Sequence, residues 1–495
     1  MKQIHHLIDG AEVAGTSGRT SPVYNPATGE QTGELALASV AEVDAAVASA
    51  ATAFDSWRDA SLAKRTKTMF AYRDLVDRNA DAIADALTAE HGKVKSDALG
   101  EVARGLENIE YACGIAEMLK GDLSVQASTG VDVSSIRQPL GVVAGITPFN
   151  FPAMVPLWMI PNALATGNTF VLKPSERDPS AALLIAELAQ EAGFPPGVLN
   201  VINGDKEAVD RLLVHPDVKA VSFVGSTPIA KYVFDTANAN GKRVQALAGA
   251  KNHMIVLPDA DVDLAADAAV SAAFGSAGER CMAISVAVAV GDVADKLVEA
   301  VRTRMDKLVV GAGDDPASEM GPLITRDAKE RVAGYIKAGA DAGARVVVDG
   351  RDRNFDGGGF FLGASLIDEV TTDMSVYTDE IFGPVLSVVR VDTYAEAVEL
   401  IRTNPWGNGA AIFTRDGGAA RRFQDEADAG MIGINVPIPV PVAYHSFGGW
   451  KDSLFGDTTM YGPEGVRFYT KAKVITTRWP DPATSTVDLG FPTND

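Results

Sequence analysis

The chain changes texture along its length. From Val40 to Asp122 alanine and charged residues dominate, and apolar positions recur every three or four residues, the period of helices with one buried stripe. From Gly141 short apolar runs alternate with helical stretches: GVVAGITP, VPLWMIPNALA, NTFVLKPS, AALLIAELAQEAG, LNVINGD, AVSFVGS and PIAKYVFDTANAN follow one another. That alternation predicts βαβ units around a parallel sheet. Val-, Ile- and Ala-rich runs separated by helices resume from about Ala250 to Asn435, which predicts a second α/β unit. The polar, alternating stretch LSVQASTGVDVSSIRQPL, Leu123 to Leu140, reads as a hairpin that leaves the main body. The segment VRFYTKAKVITTRW alternates in the same way and is a candidate to pair with it, in this chain or a neighbouring copy. The residues after Trp479 carry no reading.

Composition narrows the class. The 495 residues are 46% hydrophobic and 22% charged, with 47 Gly, 25 Pro and 2 Cys, the range of an ordinary globular protein of two or three compact units. Lys and Arg total 44 against 65 Asp and Glu, a net charge of −21 that repels phosphate backbones and anionic lipid, so neither nucleic acid nor membrane is an expected partner. Cys113 and Cys281 lie far apart with no CxxC spacing, which argues against a disulfide framework and fits a reducing cytoplasm. The N-terminal MKQIHHLIDG has no apolar signal core, and no apolar stretch approaches the ~20 residues of a membrane span. A soluble, unexported protein is the expectation.

Open parallel sheets bind ligands at the carboxyl ends of their strands, which directs attention to two turns. FVGSTPIA places Gly225 and Ser226 at the opening of a helix, where free N–H groups favour a pyrophosphate, although on spacing alone a plain Gly turn with a Ser cap is the simpler reading. VLKPSE offers Lys173 and Glu176 just past a strand, either as an ion pair or as a ribose contact. Cys281 sits in FGSAGERCMAISVAVAV, in a Gly-containing loop before an apolar run and beside Arg280, whose charge would favour the thiolate while Glu279 would oppose it. Read alone, it is either a nucleophile or a packed structural cysteine. Arg104 falls opposite the apolar stripe Leu99, Val102, Leu106, Ile109 and Cys113 of its helix, flanked by Glu101 and Glu107, which reads as a solvated helix pair. The six histidines form no HExxH or comparable set, so no metal site is expected.

At Cys281 these signals combine. TPFNFP, LKPSE, FVGS, GERC, MGPLI and EIFGPV, in that order over nearly the whole chain, resemble the aldehyde dehydrogenase superfamily. RGLENIEYACG, GAKNH, RCMAIS, NVPIPVPV and GWKDSLFGD narrow the resemblance to its CoA-acylating methylmalonate-semialdehyde (malonate-semialdehyde) dehydrogenases. The resemblance implies an α/β, aldehyde dehydrogenase-like fold: two Rossmann-like α/β domains plus a small β oligomerisation domain. It places the NAD-binding domain at 1–122 and 141–248, the catalytic domain at 249–455, and the oligomerisation hairpin and tail at 123–140 and 456–495. A homotetramer is the implied assembly.

Carried over by position, the resemblance makes Cys281 the nucleophile and Asn150 the side-chain amide that, with the Cys281 N–H, holds the oxyanion. NAD would be bound by Phe149, Lys173, Glu176, Arg177, Gly225, Ser226, Glu380 and Phe382, with Glu176 disfavouring a 2′-phosphate. Arg104 and Arg280 would clamp the substrate carboxylate. Coenzyme A is the implied co-substrate. Where hydrolytic relatives carry a water-activating Glu in ELGGK, this chain reads LAGAK with Leu247 in that place, and leucine cannot take a proton. Leu247, Glu279 in place of Gln, and Ala230 in place of Gly are departures from the subfamily pattern. The rivals are a hydrolytic NAD-dependent dehydrogenase of a longer semialdehyde such as succinate semialdehyde, and a non-catalytic relative.

Overall fold

The computed structural model describes residues 1–355, 357–483, 486, 487 and 489. The helical stretch forms as the period predicts: Val40–Arg58, Leu62–Arg78, Ala80–His91 and Lys95–Cys113 follow in series, then a short turn of helix at Ile115–Met118. Local chemistry sets the ends. Ser39 and Glu42 close a capping box at the first helix, and Gly92 ends the third in the left-handed conformation that glycine adopts without strain. The N-terminal arm is stranded: Lys2–Ile4, Thr20–Asn25 and Glu30–Ala36 make a three-stranded sheet.

Two large sheets carry the molecule. The first has eight strands in the order Leu454–Phe455, Arg243–Leu247, Val218–Val224, Val142–Ile146, Thr169–Lys173, Leu199–Val201, His6–Ile8 and Ala11–Val13. Its central strands run parallel, in a register that pairs Ile146 with Lys173 and Val224 with Leu247. The carboxyl ends of four strands therefore meet at one edge. The second sheet has seven strands, with Asn252–Val256, Ile284–Val290 and Val385–Val391 running parallel at its centre. The strand Leu454–Phe455, which the sequence reading places in the 249–455 unit, joins the first sheet instead, antiparallel to Arg243–Leu247.

Helix Met154–Ala165 is buried at every residue, including Pro161, because it packs between the strand Thr169–Lys173 and the helices Lys95–Cys113 and Gly462–Phe468. Leu123–Ser128 and Val131–Pro139 form the expected hairpin, and Thr470–Arg478 of the same chain pairs antiparallel with its second strand over nine positions. Leu123, Val125 and Val474 on this small sheet are exposed. Within the 456–495 tail, residues 484, 485, 488 and 490–495 lie outside the described residues. No helix among the described residues is long and apolar enough to cross a membrane.

Candidate active site

The common carboxyl edge of the first sheet opens on a cavity of about 440 Å³. Phe149, Asn150, Lys173, Gly225 and Ser226 reach it from the turns after three strands, and Cys281, Glu380 and Phe382 reach it from the second sheet. The latter three precede the strands Ile284–Val290 and Val385–Val391, so they stand at amino ends, where the carboxyl-end rule would not direct a search.

Backbone strain and side-chain amides shape the Cys281 loop. Ser276 and Ala277 both take positive φ (53° and 51°), and Gly278 follows at 72°, where an added Cβ would lie 2.2 Å from the Gly383 carbonyl oxygen. This left-handed turn lays the loop against Gly383, beside Phe382. Asn252 Nδ2 donates to the carbonyls of Cys281 and Ala283, both at 2.9 Å, and Asn408 Nδ2 donates to Cys281 O at 3.2 Å. The thiol is half-buried. Asn150 Nδ2 donates one hydrogen to the Glu279 carbonyl at 2.8 Å and keeps a second N–H available.

The electrostatics correct one expectation. Burial, together with the Glu380 carboxylate, pushes the Cys281 thiol up to about 11, and Arg280 opposes this only weakly. The Arg280 guanidinium turns away to Asp97, 2.6 Å distant, and packs over Gly275. The opposing carboxylate is also Glu380 and not Glu279, which is fully buried, pushed up to about 8 by burial, and directed toward His91 at 3.8 Å. With the thiol largely protonated, the iodoacetamide labelling rate of Cys281 in the free protein should rise about tenfold per pH unit from pH 7 to 10, because only the thiolate reacts. Mass spectrometry of the Cys281 peptide measures it, and a rate already level below pH 8 would contradict a protonated resting thiol.

The cofactor-side residues converge. Lys173 Nζ donates to Glu176 Oε2 at 3.0 Å, and although burial pushes the other way, Lys173 holds the Glu176 carboxyl below the usual range. Ser226 caps helix Thr227–Ala239 in an extended conformation. The Phe149 ring is framed by Arg177 (5.2 Å), His91 (6.1 Å) and Phe382 (5.8 Å). Glu380 Oε1 accepts from the Ala250 N–H at 2.9 Å, and a Cβ at Gly249 would lie 2.6 Å from Glu380 Oε2, so this glycine keeps the carboxylate's place open. These groups fit a dinucleotide: a helix N-terminus for pyrophosphate, a carboxylate past the strand for a ribose, and an aromatic and acidic pair beside the thiol.

The two arginines do not converge as expected. Neither lines this cavity, although Arg280 borders a small adjoining one of about 20 Å³ together with Cys281, Glu380 and Phe382. Arg104 pairs with Glu107 at 2.8 Å, as the helix spacing predicts, and donates from Nη2 to the carbonyls of Pro441 (2.6 Å) and Val440 (3.3 Å). Tyr461 donates to the same Pro441 carbonyl at 2.7 Å and belongs to the apolar cluster against which Cys281 packs, which links the Arg104 contacts to the surroundings of the thiol. Glu101 does not flank Arg104 in solvent; it is buried and paired with Lys93. Arg280 borders a separate cavity of about 530 Å³ together with Asp97.

Residues 13–475 match the aldehyde dehydrogenase family. This chain belongs to that family. It is 56% identical to the malonate-semialdehyde dehydrogenase of Pseudomonas aeruginosa over 486 residues, 98% of either chain, and 50% identical to malonate-semialdehyde dehydrogenase 3 of Geobacillus kaustophilus over 97% of this chain and 99% of that one. Among solved structures, the methylmalonate-semialdehyde dehydrogenase of Oceanimonas doudoroffii superposes with a TM-score of 0.96 at 57% identity, covering 98% of this chain and 99% of that one. A Sinorhizobium meliloti 1021 protein complexed with NAD superposes at 0.97 with 52% identity and the same coverage. The groups that hold these loops are not marked by any motif read for function. Asn252 lies in the quoted motif GAKNH without an assigned role, Asn408 sits between two glycines in WGNGA, and Arg331, which lines the cavity and donates to Ile381 O at 2.5 Å, has no local signature.

Proposed function

We propose that this aldehyde dehydrogenase oxidises malonate semialdehyde, methylmalonate semialdehyde or both, with NAD as oxidant and coenzyme A as acyl acceptor, giving acetyl-CoA or propionyl-CoA. One observation carries the reading: the Cys281 thiol, the spare N–H of Asn150 and the cofactor-side turns share a single cavity. The kinship with malonate- and methylmalonate-semialdehyde dehydrogenases over nearly the full length supports the substrate class.

Cys281, once deprotonated, adds to the aldehyde carbon, and the oxyanion is received by Asn150 Nδ2–H and the Cys281 N–H. Bound NAD supplies the hydride acceptor. Glu380 and Phe382 would hold the reacting end of that acceptor, and Lys173, Glu176, Arg177, Phe149, Gly225 and Ser226 its remainder. Collapse of the thiohemiacetal on Cys281 leaves an acyl thioester. A carboxylate β to the thioester carbonyl leaves as CO2, and its electron pair passes into an enolate held by the same two N–H donors. After protonation, the CoA thiolate attacks the thioester carbon and releases Cys281. Arg104, and Arg280 once released from Asp97, receive the substrate carboxylate. NAD in preference to NADP follows from the Glu176 charge.

Leu247 supports thiol over water as acceptor. It is buried in the same apolar cluster against which Cys281 packs, so the position where hydrolytic relatives carry a base holds an aliphatic side chain. NADH formation from malonate semialdehyde, followed together with CO2 and acyl product, tests the reading. Sustained turnover only with CoA, yielding acetyl-CoA, is the expected result, and equal steady turnover to a free acid without CoA would overturn it in favour of the hydrolytic alternative. In this reading 1–122 with 141–248, joined by the strand Leu454–Phe455, is the NAD-binding domain and the rest of 249–455 the catalytic domain. The segments 123–140 and 456–495 serve oligomerisation in a cytoplasmic homotetramer, which the apolar side chains exposed on the hairpin sheet support.

A further inference from the structure

We propose that Lys93 and Glu101, a buried ion pair outside the reacting groups, are positioning residues that set the oxyanion amide of Asn150; the inference rests on the reading of Asn150 as oxyanion donor. Their side chains are fully buried, with Nζ and Oε2 2.5 Å apart. Taking two charges out of water costs several kcal/mol per ion, and an apolar pair of similar volume is often as stable, so stability alone is a weak reason for such a pair.

What the pair touches supplies a better one. Lys93 Nζ also donates to the Asn150 main-chain carbonyl at 2.8 Å, and its ammonium stands 4.5 Å over the Phe151 ring. Glu101 Oε1 accepts from the N–H groups of Ala153 (2.8 Å) and Met154 (3.0 Å). Those donors open helix Met154–Ala165, which has no side-chain cap of its own, so the carboxylate satisfies orphaned N–H groups at the positive end of the helix. The segment between strand Val142–Ile146 and this helix is thus gripped by its carbonyl at one end and its N–H groups at the other. An apolar pair could do neither. With its backbone held, Asn150 has one side-chain N–H committed to Glu279 O, two residues before Cys281, and the other fixed in direction. Arg104 lies three residues beyond Glu101 on the same helix, so one rigid element joins the oxyanion donor to the proposed carboxylate contact.

A double-mutant cycle between Lys93→Met and Asn150→Ala separates positioning from simple structural support. The readout is the first-turnover rate of NADH formation per labelled Cys281 thiol, with the melting temperature measured in parallel. In the wild-type background Lys93→Met should slow that rate by about 10- to 100-fold. In the Asn150→Ala background it should slow it by less than about threefold, because the group it positions is gone. Equal losses in both backgrounds, or a lower melting temperature with an unchanged rate per labelled thiol, would overturn the inference. An Asn150→Ala rate within about threefold of wild type would instead overturn the oxyanion reading, and this inference with it. Should Lys93→Met not fold, Glu101→Gln keeps the shape and the Oε1 acceptor, removes the charge, and runs the same cycle with the same deciding outcomes.

Discussion

Cys281→Ala should lower NADH formation from malonate semialdehyde by at least about 10³-fold, equivalent to some 4 kcal/mol of barrier, while NAD still binds. The size follows from what the thiol does. Hydride can leave only after the planar aldehyde becomes a tetrahedral adduct, and in the proposed mechanism the thiol, which shares its cavity with Asn150 and Glu380, is the nucleophile. The substitution is small and the loop is held elsewhere. Asn252 and Asn408 bond to the main-chain carbonyl of residue 281 and leave the sulfur free, so fold and cofactor pocket should survive. Stopped-flow NADH absorbance and quenching of protein fluorescence by NAD measure the two halves. Retention of more than about a tenth of the activity would remove Cys281 as nucleophile.

Asn150→Ala should cost about 10²- to 10³-fold in kcat with little change in KM for NAD, the loss found when one oxyanion donor is removed. Asn150 is 3% exposed, and at so buried a position a single N–H aimed at the oxyanion is worth far more than in water. The same donor serves twice in the proposed sequence, at the tetrahedral adduct and at the enolate left by CO2, so formation of NADH and release of CO2 should both slow. Asn150→Asp should be at least as damaging, since it sets a negative charge against a developing one. Steady-state kinetics with product analysis decide it. An unchanged kcat with a raised KM would mean that Asn150 binds the ground state only.

Some of this was legible before any coordinates. Strands and helices after Gly141 declared themselves because buried parallel strands need continuous apolar runs and their crossover helices need a 3.6-residue stripe, both local in sequence. Pairing of Thr470–Arg478 with the hairpin was visible for the same reason, since alternation marks a half-exposed strand wherever it falls. The turns proposed to hold the cofactor stand out because a Gly or Ser at a helix start and a charged pair after a strand are contiguous patterns.

Chemistry that depends on contacts between distant segments was not legible. Arg280 is next to Cys281 in the chain, yet its guanidinium lies on Asp97 because side chains on successive residues of a turn diverge. The thiol is raised first by burial and then by Glu380, 99 residues later, because the second sheet brings the starts of two strands together. Glu101 reads as a solvated helix residue by spacing, whereas the helix turns it inward onto Lys93 and the turn that carries Asn150. Local periodicity and contiguous motifs carry the elements, the family and the candidate reacting side chains, all of which can be read along the chain. Only the tertiary structure decided the ionisation of the thiol, the partners of the two arginines and the support beneath Asn150, because burial and charge proximity are properties of distance in space and the chain order does not encode them.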